Sequence, residues 1–353
     1  MIKVGITGAG LMGRLLAYYL QKKGCHVTLF DKDCTGKMSA AYAAAGMLSP
    51  ISELEVADAI VFELGRYGLI RWFGLLGALG HDELFKKEGT VLIAHPQDRA
   101  ETDRFKQQIA RKLSFGFTKT LSKSELANLE PELDFQEAEY LSDEGYVDSR
   151  GVLAALGETI QASGARWIRA SVESVSPRRI IADKMAYHFD WVFDCRGSGA
   201  KDLFSDLRPV RGELIYLQAP DVRFNRPIRL LHPRYRLYIV PRPNQHYLIG
   251  ASEIEANDLS PISVRTCLEL LSAAYSVHRG FAEARLIETI VALRPALSNN
   301  LPRILFSDGL IAVNGLHRHG FLLAPTLVDE IIRLFESGIT SSEYPSLVER
   351  CGG

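Results

Sequence analysis

Long apolar runs are missing from this sequence. No uninterrupted stretch reaches the roughly 18 to 20 residues that a membrane span needs, which argues against a membrane protein. Charge of one sign is also missing: 41 lysines and arginines stand against 42 aspartates and glutamates, a net charge of −1. No broad field is therefore available to attract nucleic acid or an anionic membrane surface. Cysteine is scarce. Cys25, Cys34, Cys195, Cys267 and Cys351 are scattered, odd in number and without metal-ligand spacing. That pattern argues against a disulfide framework and against a metal site, and points to reduced thiols in a cytoplasmic protein. Low-complexity linkers and internal repeats are absent. Residues 2–6 already read as a core strand, which leaves no room for a signal peptide.

What is present is ordinary in amount and specific in pattern. Hydrophobic residues make up 47% and charged residues 24% of 353, enough for a soluble protein of two domains. The strongest local signal is KVGITGAGLMGRLLAYYLQKKGCHVTLFDKD, residues 3–33. Residues 3–7 read as a short strand, residues 11–23 have helical periodicity, Gly24 ends that helix, and residues 27–30 form a second strand closed by Asp31. Between the first strand and the helix, Gly8, Gly10 and Gly13 form G-x-G-x-x-G. Gly8 permits the tight turn, Gly10 lets backbone approach a pyrophosphate, and Gly13 lets helix and strand pack closely. The helix N-terminus then faces the phosphates, and Asp31 can accept hydrogen bonds from ribose hydroxyls. The bland alternative is a glycine-rich turn that holds no ligand.

This unit does not choose between NAD and FAD. SAAYAAAGMLSP, residues 39–50, is built of small residues, as suits backbone lying against a bulky flat ligand; a small-residue helix packed on a neighbour would look similar. Farther along, residues 53–79 read as one long helix, 90–95 as a strand, and 98–112 and 123–129 as helices. A helix over 149–163 is followed by strand patterns in RWIRASVESVSP and WVFDCRGSGA, the latter ending in a backbone-exposing loop at Gly197 and Gly199. GELIYLQA, IRLLHP, YRLYIVPRP and HYLIGAS make residues 210–248 strand-rich. A helix over 263–277, a strand in ARLIETIVALRP, a strand over 310–313 and a helix over 326–336 complete the chain. Dinucleotide-type segments thus occur at the start, middle and end, with strand-rich segments between them. The organisation implied is two domains interleaved in sequence.

Taken in order, GAGLMG, Asp31, AAAGMLSP, DCRGSGA, VRGELI, LYIVPRP, LIGASEIE, ALRP and NGLHRHGFLLAP span nearly the whole chain. This ordered set resembles the D-amino-acid-oxidase family of FAD-dependent amine oxidases, and within it the glycine-oxidase branch that serves thiamine biosynthesis. Two positions depart from the usual pattern: Asp31 stands where these flavoproteins often have Glu, and His317 where an aromatic residue is common. The resemblance implies an α/β fold with an α+β second domain. A Rossmann-like FAD-binding domain (1–82, 144–208 and 300–353) would be interleaved with a sheet-rich substrate-binding domain (83–143 and 209–299). It implies noncovalent FAD, with Gly8, Gly10, Gly13 and Asp31 at the ADP half and Ala45, Gly46, Met47 and Leu48 along the isoalloxazine. Val172 would meet adenine through its backbone. Gly197 would line the site, and Gly315, His317, Arg318, Gly320, Phe321 and Leu322 would wrap the polar edge of the flavin. Tyr238, Arg294 and Arg318 would surround the substrate.

The expected reaction is oxidative deamination of glycine or another small amino acid, with dioxygen as acceptor. The products would be a keto acid, ammonia and hydrogen peroxide, or an imine passed to thiazole synthesis. No catalytic residue beyond the flavin and no metal are expected, and a homo-oligomer is possible. Plainer readings stand beside these. Arg294 could pair with Glu213, Glu253 or Glu288, and Arg318 with a structural carboxylate. Tyr238 could serve packing alone, and His317 and His319 could simply hydrogen-bond in the core. Three rival functions share parts of the pattern: a D-amino acid dehydrogenase passing electrons to a quinone, an NAD-dependent dehydrogenase, and a non-enzymatic flavoprotein.

Overall fold

The computed structural model describes residues 1–113, 116–234 and 237–351. Its first sheet has seven strands in the order Val348–Arg350, Arg303–Ser307, Leu310–Asn314, Trp191–Asp194, Lys3–Thr7, His26–Asp31 and Arg166–Arg169. The five from Leu310–Asn314 to Arg166–Arg169 run parallel. Parallel strands are buried on both faces, and here the two covers differ. Helices Leu11–Lys22, Ser149–Ala162 and Gly320–Ser337 share one core with one face, through Leu15, Leu156, Phe193, Ile311 and Leu327. On the other face lies a three-stranded antiparallel sheet, Val172–Ser176, Arg179–Ala182 and Met185–His188, which buries Val175 and Ile180 against Phe30, Val192 and Leu310.

The second large sheet has nine strands. In order they are Ile254–Glu255, Arg208–Gln218, His246–Gly250, Leu237–Arg242, Ile228–Leu230, Thr90–Ile93, Glu137–Leu141 and Lys119–Ser122, with Arg285–Ala296 paired along Arg208–Gln218. Alternation within strands decides its two faces. Ile215, Leu217, Ile239 and Ile249 pack with Leu270, Ala273 and Val277 of helix Val264–Val277. Leu214, Tyr216, Val240 and Leu248 turn the opposite way, toward Ala43 and Ala45. That second face roofs the segment of small residues read from the sequence, which forms the short helix Ala40–Ala43 and the strand Met47–Leu48.

Two helices differ from the sequence reading. The expected 53–79 helix is two pieces, Pro50–Glu53 and Ala59–Leu79, because the Asp58 side chain accepts a hydrogen bond from Ile60 N and starts a new helix. The last helix begins six residues before the expected 326 and runs through Pro325. Proline lacks the N–H that would bond Phe321 O four residues back. Trp72 Nε1 donates to that oxygen instead, at 2.7 Å, so the helix continues. Tyr235 and Arg236, the first residues of the YRLYIVPRP strand reading, lie outside the described residues. No helix among the described residues is long and apolar enough to cross a membrane.

Candidate active site

A cavity of about 1110 Å3 runs between the C-terminal ends of the parallel strands and the face of the nine-stranded sheet, larger than the usual range for a small ligand. One end is built by the first strand, turn and helix. Gly8 has φ +90°, and a β-carbon on it would meet Cys195 O at 2.4 Å. A β-carbon on Gly13 would fall 1.9 Å from Gly8 O, so Gly13 packs the helix against the turn and does not itself line the cavity. Gly10 caps the helix with no side-chain bond, and no acidic residue sits in the first turn. The first-turn N–H groups are left for an anion. Asp31 accepts from Ala9 N (2.6 Å) and Asp33 N (2.8 Å), which fixes its carboxylate at the strand end, and a carboxylate has lone pairs to spare for hydroxyls. Val172 and Gly197 line the same region.

The middle is lined by Ala45, Gly46 and Met47. A β-carbon on Gly46 (φ +70°) would strike Val147 O at 2.1 Å, so only glycine lets this segment lie so close to its neighbouring strand. Leu48, expected beside the ligand, is fully buried in the core instead, because side chains alternate along the Met47–Leu48 strand. Gly315 (φ +80°) is likewise turned away from the cavity, toward Leu297 and Leu301. His317, Arg318, Gly320, Phe321 and Leu322 do line it. Helix Gly320–Ser337 starts here, continuing the 3-10 turn His317–His319, also without a side-chain cap, and points its N-terminus into the cavity.

The far end gathers the charged residues. Arg318 is not a free cation. Its Nε donates to Glu53 Oε2 (2.9 Å), with Nη2 in ion-pair contact at 2.8 Å, and its Nη1 donates to Glu253 Oε2 (3.0 Å). Burial would raise the Glu53 carboxyl, but Arg318, His319 and Arg229 together bring it down to about 2. Burial drives His317 down to about 3 and His319 to about 4, so both imidazoles are neutral at pH 7. Both nitrogens of His317 and Nδ1 of His319 have no hydrogen-bond partner among the described residues. Arg294 Nη1 donates to Ser252 O at 3.1 Å, yet Arg294 forms an ion pair with no carboxylate among the described residues. Its three candidate partners are engaged elsewhere: Glu213 with Arg211, Glu288 with Arg150 and Glu253 with Arg318. Tyr238 stands in the same cavity. Burial pushes its phenol up, against the pull of Arg294, so it is a hydroxyl donor at neutral pH. The sequence reading missed Glu53, which looked like the first turn of a long helix, and Ser49, whose buried Oγ has no hydrogen-bond partner among the described residues.

These features fit FAD. Two uncapped helix N-termini, a carboxylate at a strand end and a roofed strip of small residues lie along one elongated cavity. Comparison with known proteins agrees. The family model described as FAD dependent oxidoreductase (DAO) matches residues 3–333, and the chain belongs to that family: it is an FAD-dependent oxidoreductase. It is 36% identical over 334 residues to the "Putative thiamine biosynthesis oxidoreductase ThiO" of Rhizobium etli, covering 94% of this chain and 96% of the relative. It is 24% identical over 372 residues to a glycine oxidase of Geobacillus kaustophilus, covering 99% and 97%. The crystal structure of glycine oxidase from that organism has the same fold, with a TM-score of 0.85 at 23% identity and complete coverage of both chains.

Proposed function

We propose that this protein oxidatively deaminates glycine or another small amino acid with dioxygen as acceptor, giving a keto acid, ammonia and hydrogen peroxide, and that it serves thiazole formation in thiamine biosynthesis. One observation carries the reading: Arg294 lies in the cavity without a carboxylate partner among the described residues. An arginine so placed needs an anion, and a substrate carboxylate is a two-pronged match to it. Tyr238 adds a hydroxyl donor. The cavity is large, but most of it suits FAD, so the remaining space favours a small substrate. The names of the Rhizobium and Geobacillus relatives agree with this choice.

FAD bound here without a covalent bond would supply the two-electron oxidation, with dioxygen as the final acceptor. This chain's own residues bind and orient. Gly10 to Met12 would hold the pyrophosphate, Asp31 the ribose and Val172 the adenine. Ala45, Gly46 and Met47 would lie along the ring system. The N–H groups at the start of helix Gly320–Ser337 would stabilise the negative charge that reduction brings. No residue is needed as a general base if the amine arrives neutral. The test is anaerobic addition of glycine, N-methylglycine and D-alanine to purified protein, followed by visible absorbance and then by air. Bleaching, then peroxide in step with amine consumed, is expected. Bleaching without peroxide would point to a different acceptor, and no bleaching would overturn the reading.

A further inference from the structure

The sequence reading assigned no role to Glu53, yet its carboxylate is firmly held in the cavity. It sits at the end of the short helix Pro50–Glu53, whose position is fixed from outside. Ser52 N and Oγ donate to Glu144 at 2.6 and 3.0 Å, and Arg229 Nη1 donates to Ser52 O at 3.1 Å. Glu53 Oε2 is engaged: it accepts from Arg318 Nε, is in ion-pair contact with Arg318 Nη2, and lies 3.4 Å from His319 Nδ1. Glu53 Oε1 is bonded to nothing among the described residues, and it is not one of the atoms sealed in the packed interior. The residue lines the cavity that also holds Arg294 and Tyr238. Charge points the same way. Arg318 is one cation shared by two carboxylates, Glu53 and Glu253, and the neighbouring histidines are neutral. Arg318, Glu53 and Glu253 together therefore carry one negative charge in excess, which Arg294 balances until an anion occupies it.

We propose that Glu53 is the counter-charge for the substrate nitrogen, with Arg294 taking the carboxylate at the other end of the same small molecule. The proposal rests on the amine-oxidase reading and adds a residue to it. When the α-C–H bond of a neutral amine breaks, hydrogen leaves with the electron pair to the two-electron oxidant of the family. The nitrogen lone pair becomes the second bond of C=N, and nitrogen ends with a positive charge. Water then adds to that carbon, and ammonium and the keto acid separate. A fixed carboxylate beside the nitrogen stabilises charge that is absent in the neutral amine and develops in the transition state, the arrangement that lowers a barrier most effectively. Arg318 then serves to aim Glu53 and hold it ionised.

The test is Glu53→Gln, which keeps an acceptor oxygen for Arg318 and removes the charge. Flavin bleaching is followed anaerobically at saturating glycine. Binding of acetate, which has the carboxylate and no nitrogen, is followed by its shift of the flavin spectrum. Loss of one fixed electrostatic group predicts a bleaching rate lower by roughly 10²-fold, with acetate affinity changed by less than about threefold. Glu253→Gln, which also removes one partner of Arg318, is the control and should slow bleaching far less. Bleaching of Glu53→Gln at nearly the wild-type rate overturns the proposal. So does equal loss in both variants, or loss of acetate binding, since either assigns the effect to Arg318 or to packing. If wild-type protein is bleached by none of the small amines, the amine-oxidase reading itself falls and the role of Glu53 with it.

Discussion

The guanidinium of Arg294 rests directly on the α-carbon of Gly212: a β-carbon at 212 would lie 2.5 Å from Nη2 and 2.6 Å from Cζ. The two residues sit on paired strands, Arg208–Gln218 and Arg285–Ala296. Gly212 therefore sets how low the arginine can lie over the sheet. Because the atoms in the way belong to the end of a flexible side chain, Gly212→Ala should fold and melt close to wild type. It should nonetheless push Arg294 off its seat and raise KM for a small amino acid by about tenfold or more, as a displaced positioning group does. Steady-state kinetics together with a melting curve checks this. An unchanged KM would mean that Arg294 does not meet the substrate.

Removing the arginine is the harsher experiment. Truncating one partner of a buried, hydrogen-bonded charge pair costs roughly 2 to 5 kcal/mol. At 1.36 kcal/mol per factor of ten, Arg294→Ala should lower kcat/KM by about 30- to several-thousand-fold. Arg294→Lys should restore only part, because an ammonium cannot repeat a two-pronged contact. Flavin content should be unchanged. Near-normal kinetics with a clearly lower melting point would instead make Arg294 a structural residue.

Glu144 predicts a pH dependence of stability. Burial raises its carboxyl to about 7, although Ser52, Thr90 and Arg229 oppose the shift. The folded state therefore binds this proton more tightly than the unfolded state, whose carboxyl titrates near 4.5. Below about pH 4.5 the group costs nothing. As pH rises from there to about 7, the unfolded chain ionises first and stability falls by as much as about 3 kcal/mol. Glu144→Gln has no such titration. It should melt above wild type at pH 8, with the gap shrinking or reversing at pH 5. A gap independent of pH between 5 and 8 would show that Glu144 does not titrate there.

The turn at Gly8 and Gly13 predicts flavin content. Gly13→Ala places a methyl 1.9 Å from backbone oxygen, and backbone cannot step aside as a side chain can. The variant should purify with little FAD and a depressed melting temperature, read by absorbance and calorimetry. Wild-type protein, by contrast, should release intact FAD when denatured. Cys195, which also lines the cavity, has its thiol held well above its ordinary range by burial and is unsuited to act as a nucleophile.

The parts of the fold most legible in the sequence were those set by local chemistry. Strand Lys3–Thr7 and helices Lys123–Leu129 and Ser149–Ala162 follow from periodicity and caps: Ser122 forms a capping box with Glu125, and Asp148 caps Arg150 and Gly151. What escaped depends on partners far away in the chain. Nothing near Pro325 shows that Trp72 will replace its missing N–H. Nothing near Arg318 shows that Glu53, 265 positions away, will occupy it. The resemblance placed Arg318 and Arg294 in one cavity, but which of the two has no carboxylate partner among the described residues is decided by the long-range pairing of Glu213, Glu253 and Glu288 with other arginines.

The order of strands in the first sheet bears on how the protein is made. Lys3–Thr7 is made well before its neighbour on one side, Trp191–Asp194, which follows some 180 residues later, and Leu310–Asn314 comes later still. At about 5 to 20 residues per second, the first strand and its glycine turn wait roughly ten to forty seconds with one edge open. The second uncapped helix, Gly320–Ser337, follows later again. The surface that fits FAD is therefore assembled from segments some 300 residues apart, and it exists only once Gly320–Ser337 has docked on the strand that began it.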